Sequence, residues 1–238
     1  MRITTALRLA AVLPAALALS TAASAAAAPE PYPAMAPLAQ YLMAQDDEVA
    51  LARTAAPKAV SDDAEVMVLT KQGYVTVAKG SNGFLCLVER GWAGDSGFAD
   101  FWNPKQRAPI CFNAAAARSY TPIFLMKTRL ALEGRSKKEI TEQTSAALDS
   151  RQLPELAPGA MCYMMSRQQY LNDEDKAWRP HLMFFAPGSV AKTWGGNLAG
   201  SPLIAAEVPE ERVTIFMMVA AKWSDGTPAT PAAMSMNH

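Results

Sequence analysis

Histidine and cysteine are scarce in this chain: two of the first, His181 and His238, and three of the second, Cys86, Cys111 and Cys162. Zinc needs three or four converging ligands, and no HxxxH or CxxC spacing offers them. Three cysteines are too few for a disulfide-dense scaffold, and the odd number leaves at least one thiol unpaired within the monomer. Charge of one sign is also missing, with 22 basic and 22 acidic residues. That balance gives no electrostatic reason to expect nucleic acid or an anionic membrane as partner. Beyond residues 9–19 there is no second long apolar run, which excludes insertion of the remaining chain into a membrane as a helix. Neither Trp194-Gly195-Gly196-Asn197 nor Gly80-Ser81-Asn82-Gly83 matches a P-loop or dinucleotide fingerprint, so both read as turns and no cofactor is implied. No internal repeat is visible.

What is present begins with an export signal. Arg2 and Arg8 flank a short positive region, Leu9 to Leu19 is apolar, and Ala23-Ser24-Ala25 supplies a small-residue cleavage pattern. This order predicts a signal peptide over residues 1–28, cleaved between Ala25 and Ala28, and a periplasmic or extracellular protein. Residues 29–45 form a Pro-rich lead-in, residues 46–228 a single globular domain, and residues 229–238 a flexible tail. The mature chain carries 20 basic and 22 acidic residues, because the signal removes Arg2 and Arg8 and no acids.

The elements follow from pattern and punctuation. Three apolar runs at Glu65–Thr70, Tyr74–Ala78 and Phe84–Glu89, separated by Gly/Asn turns, predict an antiparallel three-stranded meander. Three later strands are expected over Ala160–Ser166, His181–Ala186 and Val213–Lys222. Between the two groups, Gly91 to Cys111 reads as a long loop pinned by Phe98, Phe101 and Trp102, and as one wall of any site. A short helix over Leu38–Ala44 precedes one opened by Asp46-Asp47-Glu48 and closed by Pro57. Asn113 caps a further helix, Thr121-Pro122 starts another, and Ser136 with Glu139 forms a capping box. Strands apolar on both faces, as in Val213–Ala220, are covered on both sides. The missing βαβ alternation makes this an α+β domain: a mainly antiparallel sheet of about six strands with helices packed on it.

Six phrases carry a resemblance: EVALARTAAP from Glu48, NGFLCLVERGW from Asn82, FWNPKQRAPICFN from Phe101, GAMCYMMS from Gly159, WRPHLMFFAP from Trp178 and KWSDGTP from Lys222. Together they resemble a family of exported bacterial proteins with no assigned function. The resemblance implies a single-domain exported protein and brings no catalytic or ligand-binding residue with it.

Candidate chemistry rests on few residues. His181 opens a strand beside Met183 and Phe185; with Cys162, Met164 and Met165 it has the donor types that suit copper(I), but methionine is also ordinary core filling and that reading is preferred. His181 as base with Glu89 as orienter would suit a periplasmic hydrolase acting through Ser166, Ser201, Ser224 or Cys162. No G-x-S-x-G elbow supports it, since Ala199-Gly200-Ser201-Pro202 lacks the second glycine. Arg90, Trp92, Trp102, Trp178 and Trp194 lie in or beside loops and are the candidate ligand-binding residues, because aromatic walls with a few charges build small-molecule pockets. Cys86 and Cys111 are expected to pair, leaving Cys162 as a buried thiol. The reading favoured is an exported binding or interaction module with an aromatic-lined pocket, its partner a small molecule or a protein.

Overall fold

The computed structural model describes residues 30–95 and 97–229. The expected signal peptide and cleavage site, His238 and nearly all of the expected tail lie outside them. The described residues form a mixed eight-stranded sheet in the order β2-β1-β3-β4-β5-β6-β8-β7. The strands are β1 Glu65–Thr70, β2 Gly73–Ala78, β3 Leu85–Glu89, β4 Ala108–Phe112, β5 Met161–Met164, β6 His181–Pro187, β7 Ile204–Val208 and β8 Val213–Val219. Five helices pack on it: α1 Gln45–Arg53, α2 Lys58–Ser61, α3 Ala114–Ser119, α4 Thr121–Leu132 and α5 Lys137–Asp149. The expected α+β class is therefore present, with two more strands than expected. Among the described residues no helix is long and apolar enough to cross a membrane.

The meander is corrected. β1 and β2 do form an antiparallel hairpin, but β3 lies on the other side of β1 and runs parallel to it. The GSNG segment is a crossover past the start of β1 rather than a hairpin turn. Ser81 donates to Asp63 O (2.8 Å), and the Asn82 side chain donates to Val60 O (2.7 Å). A Cβ on Gly80 would collide with the backbone nitrogen of Glu65, so glycine is required where the crossover touches the strand.

The long loop is also corrected, because its last residues are a strand. Ala108–Phe112 is buried at every position and pairs with β3 on one side and β5 on the other. Pro109 stands opposite Met165 in the extended β4–β5 register and has no N–H to give. Met165 therefore bonds outside the ladder, donating to Ala55 O (2.9 Å) and accepting from Ser224 N (3.0 Å).

Side-chain alternation then assigns the two faces. Val66, Cys86, Val88 and Cys111 pack under Leu51 and Ala52 of α1. Leu87, Ile110, Phe112 and Cys162 point the other way, into a larger core closed by α3, α4 and the C-terminal part of α5. Cys86 and Cys111 are directly opposed on β3 and β4, their Cα atoms 4.0 Å apart, and form the disulfide, while Cys162 is free and buried. A cross-link over this span contributes roughly 3 kcal/mol through the unfolded chain.

Helix ends follow local chemistry. The Asn113 side chain accepts from Ala116 N, and Ser136 with Glu139 completes a capping box that opens α5. Such caps contribute about 1 kcal/mol each. The lead-in contributes more than a tether. It holds a 3-10 turn over Leu38–Gln40 instead of the longer helix expected, and Tyr41 is fully buried, its hydroxyl donating to Trp102 O (2.8 Å).

Candidate functional site

Helices α3 to α5 cover the middle of the sheet but not the whole face. Over β6, β8 and β7 the same face opens into a cavity of about 400 Å³. Its floor is the sheet: Glu89 at the end of β3, Ala108 on β4, Met164 on β5, His181, Met183 and Phe185 on β6. Met217 and Ile215 of β8 and Val208 and Ala206 of β7 continue it. Tyr120 and Phe124 form the helical side, and two loops form the rim, one with Ala93, Gly94, Asp95 and Phe98 and the other over residues 171–178. Ala93, Gly94, Asp95 and Phe98 of the loop after β3, read above as one wall of any site, line this cavity.

Among the polar and charged residues of the lining, four are buried: Glu89, Gln106, His181 and Glu211. Glu89 is only 9% exposed, and its Oε1 has no hydrogen-bond partner. Burial pushes its carboxyl up to about 8, with Lys127 opposing and Glu211 adding to the shift. Glu89 is thus mainly protonated at neutral pH. Gln106 is buried too, and its Oε1 is likewise without a partner. On the far side, His181 is buried and its Nδ1 donates to Arg179 O (2.7 Å). Burial lowers its pKa to about 4, the backbone contact opposing. The neutral ring with Nδ1 protonated leaves a lone pair on Nε2. Trp178 packs edge-on against the imidazole, ring centroids 4.5 Å apart.

A fourth polar group is already engaged. Glu211 accepts from the Tyr120 hydroxyl (2.6 Å) and is ion-paired with Lys127, whose ammonium also donates to Ala93 O (3.1 Å) and Gly94 O (3.0 Å). Lys127 ties α4, the rim loop and the turn after β7 together. Glu211 thus lines the cavity with its charge already paired.

His181 and Glu89 line one cavity but are not a pair. Strands β3 and β6 are separated by β4 and β5, which puts them about 14 Å apart at ordinary strand spacing. The histidine pKa falls because of burial and carries no contribution from Glu89, so the expected base and orienter do not interact. None of Ser166, Ser201, Ser224 and Cys162 lines the cavity. Ser166 is buried elsewhere, 2.6 Å from Thr54 Oγ1, and burial raises the Cys162 thiol well above its ordinary range.

Of the five candidate ligand-binding residues, Trp178 alone lines the cavity. Arg90 is fully buried under α1, bonded to Glu48 Oε1 (3.0 Å), Tyr41 O (2.9 Å) and Val88 O. Trp92 and Trp102 belong to the core around Tyr41, with Trp92 Nε1 donating to Thr128 Oγ1 (3.0 Å). Trp194 is 62% exposed and stacks on Phe216 on the other face of β8. The residues that sequence reasoning missed are Gln106, Tyr120 and Glu211. Lys127 was a usable signal for them, a charge inside the apolar helix TPIFLMKTRLAL. No family model, curated protein or solved structure matches the chain.

Proposed function

We propose that this chain is an exported binding protein whose ligand is a small, largely apolar molecule held in the cavity over β6, β8 and β7. One observation carries the reading: the buried Glu89 Oε1 stands without a partner at the wall of an apolar cavity of about 400 Å³. An unpaired buried acceptor costs roughly 1–3 kcal/mol, which a ligand donor recovers. Few polar groups in an apolar, concave lining is the usual make-up of a small-molecule site. Export is supported by the N-terminal pattern and by the Cys86–Cys111 disulfide, a bond that persists in oxidising compartments.

The hydrolase alternative has less support. Its base and orienter sit on non-adjacent strands, and Tyr120 is the only hydroxyl side chain in the described lining, donating to Glu211. The test uses the neutral fluorophore N-phenyl-1-naphthylamine. Its emission should rise with the wild-type protein and fail to rise with Ala206→Trp, which fills the cavity from an exposed strand position. Equal emission with both proteins would place any bound fluorophore elsewhere and remove the reading.

A further inference from the structure

The charges around the cavity are of one sign. Four acidic side chains line it, Glu89, Asp95, Asp175 and Glu211, and among the described residues no lysine or arginine does. Glu211 is already held by Lys127 and Tyr120. Asp95 and Asp175 are exposed at the rim, where a charge is screened by water. Glu89 differs from all three, being buried, facing the cavity and lacking a partner for Oε1. Gln106 adds a second unpartnered acceptor to the same lining, and Phe98 and Trp178 add aromatic rings at the rim.

Resting on the small-molecule reading above, we propose that the cavity takes a hydrophobic organic amine in its cationic form, the ammonium bonded to Glu89 and the apolar body lying over β6 and β8. An ammonium group has only donors, and the Glu89 carboxyl, which lines the cavity and has an unpartnered oxygen, can accept from it. A bound cation stabilises Glu89 in its ionised form, giving a buried charge the partner it needs. Aromatic rings at the entrance attract organic cations on approach. An inorganic divalent ion is a poor match, because calcium or magnesium needs about six oxygen ligands, and Glu211 is already held by Lys127 and Tyr120 while Asp95 and Asp175 stand exposed at the rim. An anion is a poorer one, since Lys127 is committed to Glu211, Ala93 O and Gly94 O.

Because free Glu89 carries a proton at neutral pH, binding transfers that proton to solvent. The carboxyl loses H⁺, the ammonium keeps its own, and the bound pair is neutral. The groups that sense Glu89 are Lys127, Glu211, Tyr74, Tyr120 and Cys162, with His181 across the cavity. Burial raises Tyr74, Tyr120 and Cys162 and lowers His181, so none of these four changes charge between about pH 6 and pH 8. Amine affinity should therefore rise about tenfold per pH unit up to about 8, where Glu89 ionises unaided, and then level off.

Calorimetric titration with phenethylamine, phenethyl alcohol and phenylacetate, from about pH 6 to about pH 8 and in buffers of different ionisation enthalpy, tests this. Expected are preferential binding of the amine, about one proton released per amine bound at pH 7, and loss of the preference and of the pH slope in Glu89→Gln. Alcohol or phenylacetate binding as tightly as the amine would overturn the amine assignment and leave the small-molecule reading standing. So would amine affinity that ignores pH. Fluorophore uptake in the preceding test with no binding of phenethylamine would overturn the assignment as well, whereas failure of both tests removes the pocket reading itself. Should Glu89→Gln not fold, the wild-type pH slope and proton release decide the matter.

Discussion

Glu89 and Arg90 are neighbours in the chain and both are buried, yet they serve different halves of the molecule. Arg90 turns toward α1, where its guanidinium meets Glu48, Tyr41 O and Val88 O. Glu89 turns toward the larger core and finds a cavity, with Oε1 unmatched. Glu48 Oε2 is also unpartnered, but Glu48 does not line the cavity. The contrast shows that burial of charge alone does not mark a site. A buried ion with its donors satisfied holds the fold together, and a buried group left open to a cavity is available to a ligand.

The largest effect that would sharpen this contrast comes from Arg90→Ala. It strands Glu48 without its cation in a dry interior, and should cost about 3–5 kcal/mol in urea unfolding. A loss under about 1 kcal/mol would mean that the Glu48 side of the strand is not the closed one. Next comes Cys86→Ala with Cys111→Ala, which should lose about 3 kcal/mol by the same measurement. Non-reducing peptide mapping of the wild-type protein should at the same time return the Cys86–Cys111 peptide and none containing bridged Cys162.

A third experiment separates the two cavity titrations by pH. Glu89 has a folded pKa near about 8 against an ordinary 4.5, so its stabilising contribution is complete below 4.5 and is lost as pH rises through 8. His181 has a folded pKa near about 4 against an ordinary 6.5, so its contribution is complete above 6.5 and is lost as pH falls toward 4. Between 4.5 and 6.5 the two slopes, each up to about 1.4 kcal/mol per pH unit, oppose one another. Glu89→Gln should therefore expose a rise in stability with pH over that window. His181→Gln should expose a fall continuing to about 8. Parallel stability curves for wild type and both variants would show that neither group is held out of its ordinary range.

The smallest effect concerns the tryptophans. Trp194→Ala should cost about 1 kcal/mol from lost stacking on Phe216 and leave fluorophore binding unchanged. Trp178→Ala should weaken fluorophore binding severalfold at similar cost to stability. Equal effects of the two on binding would dissolve the distinction between the cavity and the opposite face of the sheet.

Legibility followed range. Asn113, Thr121-Pro122 and the Ser136–Glu139 box were readable because each cap is a bond between residues at most a few positions apart. β4 was missed because APICF is short, follows a polar loop and carries a proline, a combination that fits a central strand only once β3 and β5 flank it. β7 was missed for a similar reason, IAAEV having little apolar weight of its own. Tyr120 and Glu211 could not be placed together from the chain, being 91 residues apart.

The amino-acid sequence by itself determined the α+β class, the helix caps and the choice of Cys86 and Cys111 as the pair. These rest on periodicity, on hydrogen bonds between near neighbours and on a loop of about 25 residues closing on itself. Only the tertiary structure decided that β3 crosses to the far side of β1, that Arg90 is sealed while Glu89 is open, and that His181 faces Glu89 across a cavity without bonding to it. The reason is that strand order and cavity shape depend on which distant apolar faces cover one another. A single residue's type does not reveal which face of a sheet will be left uncovered.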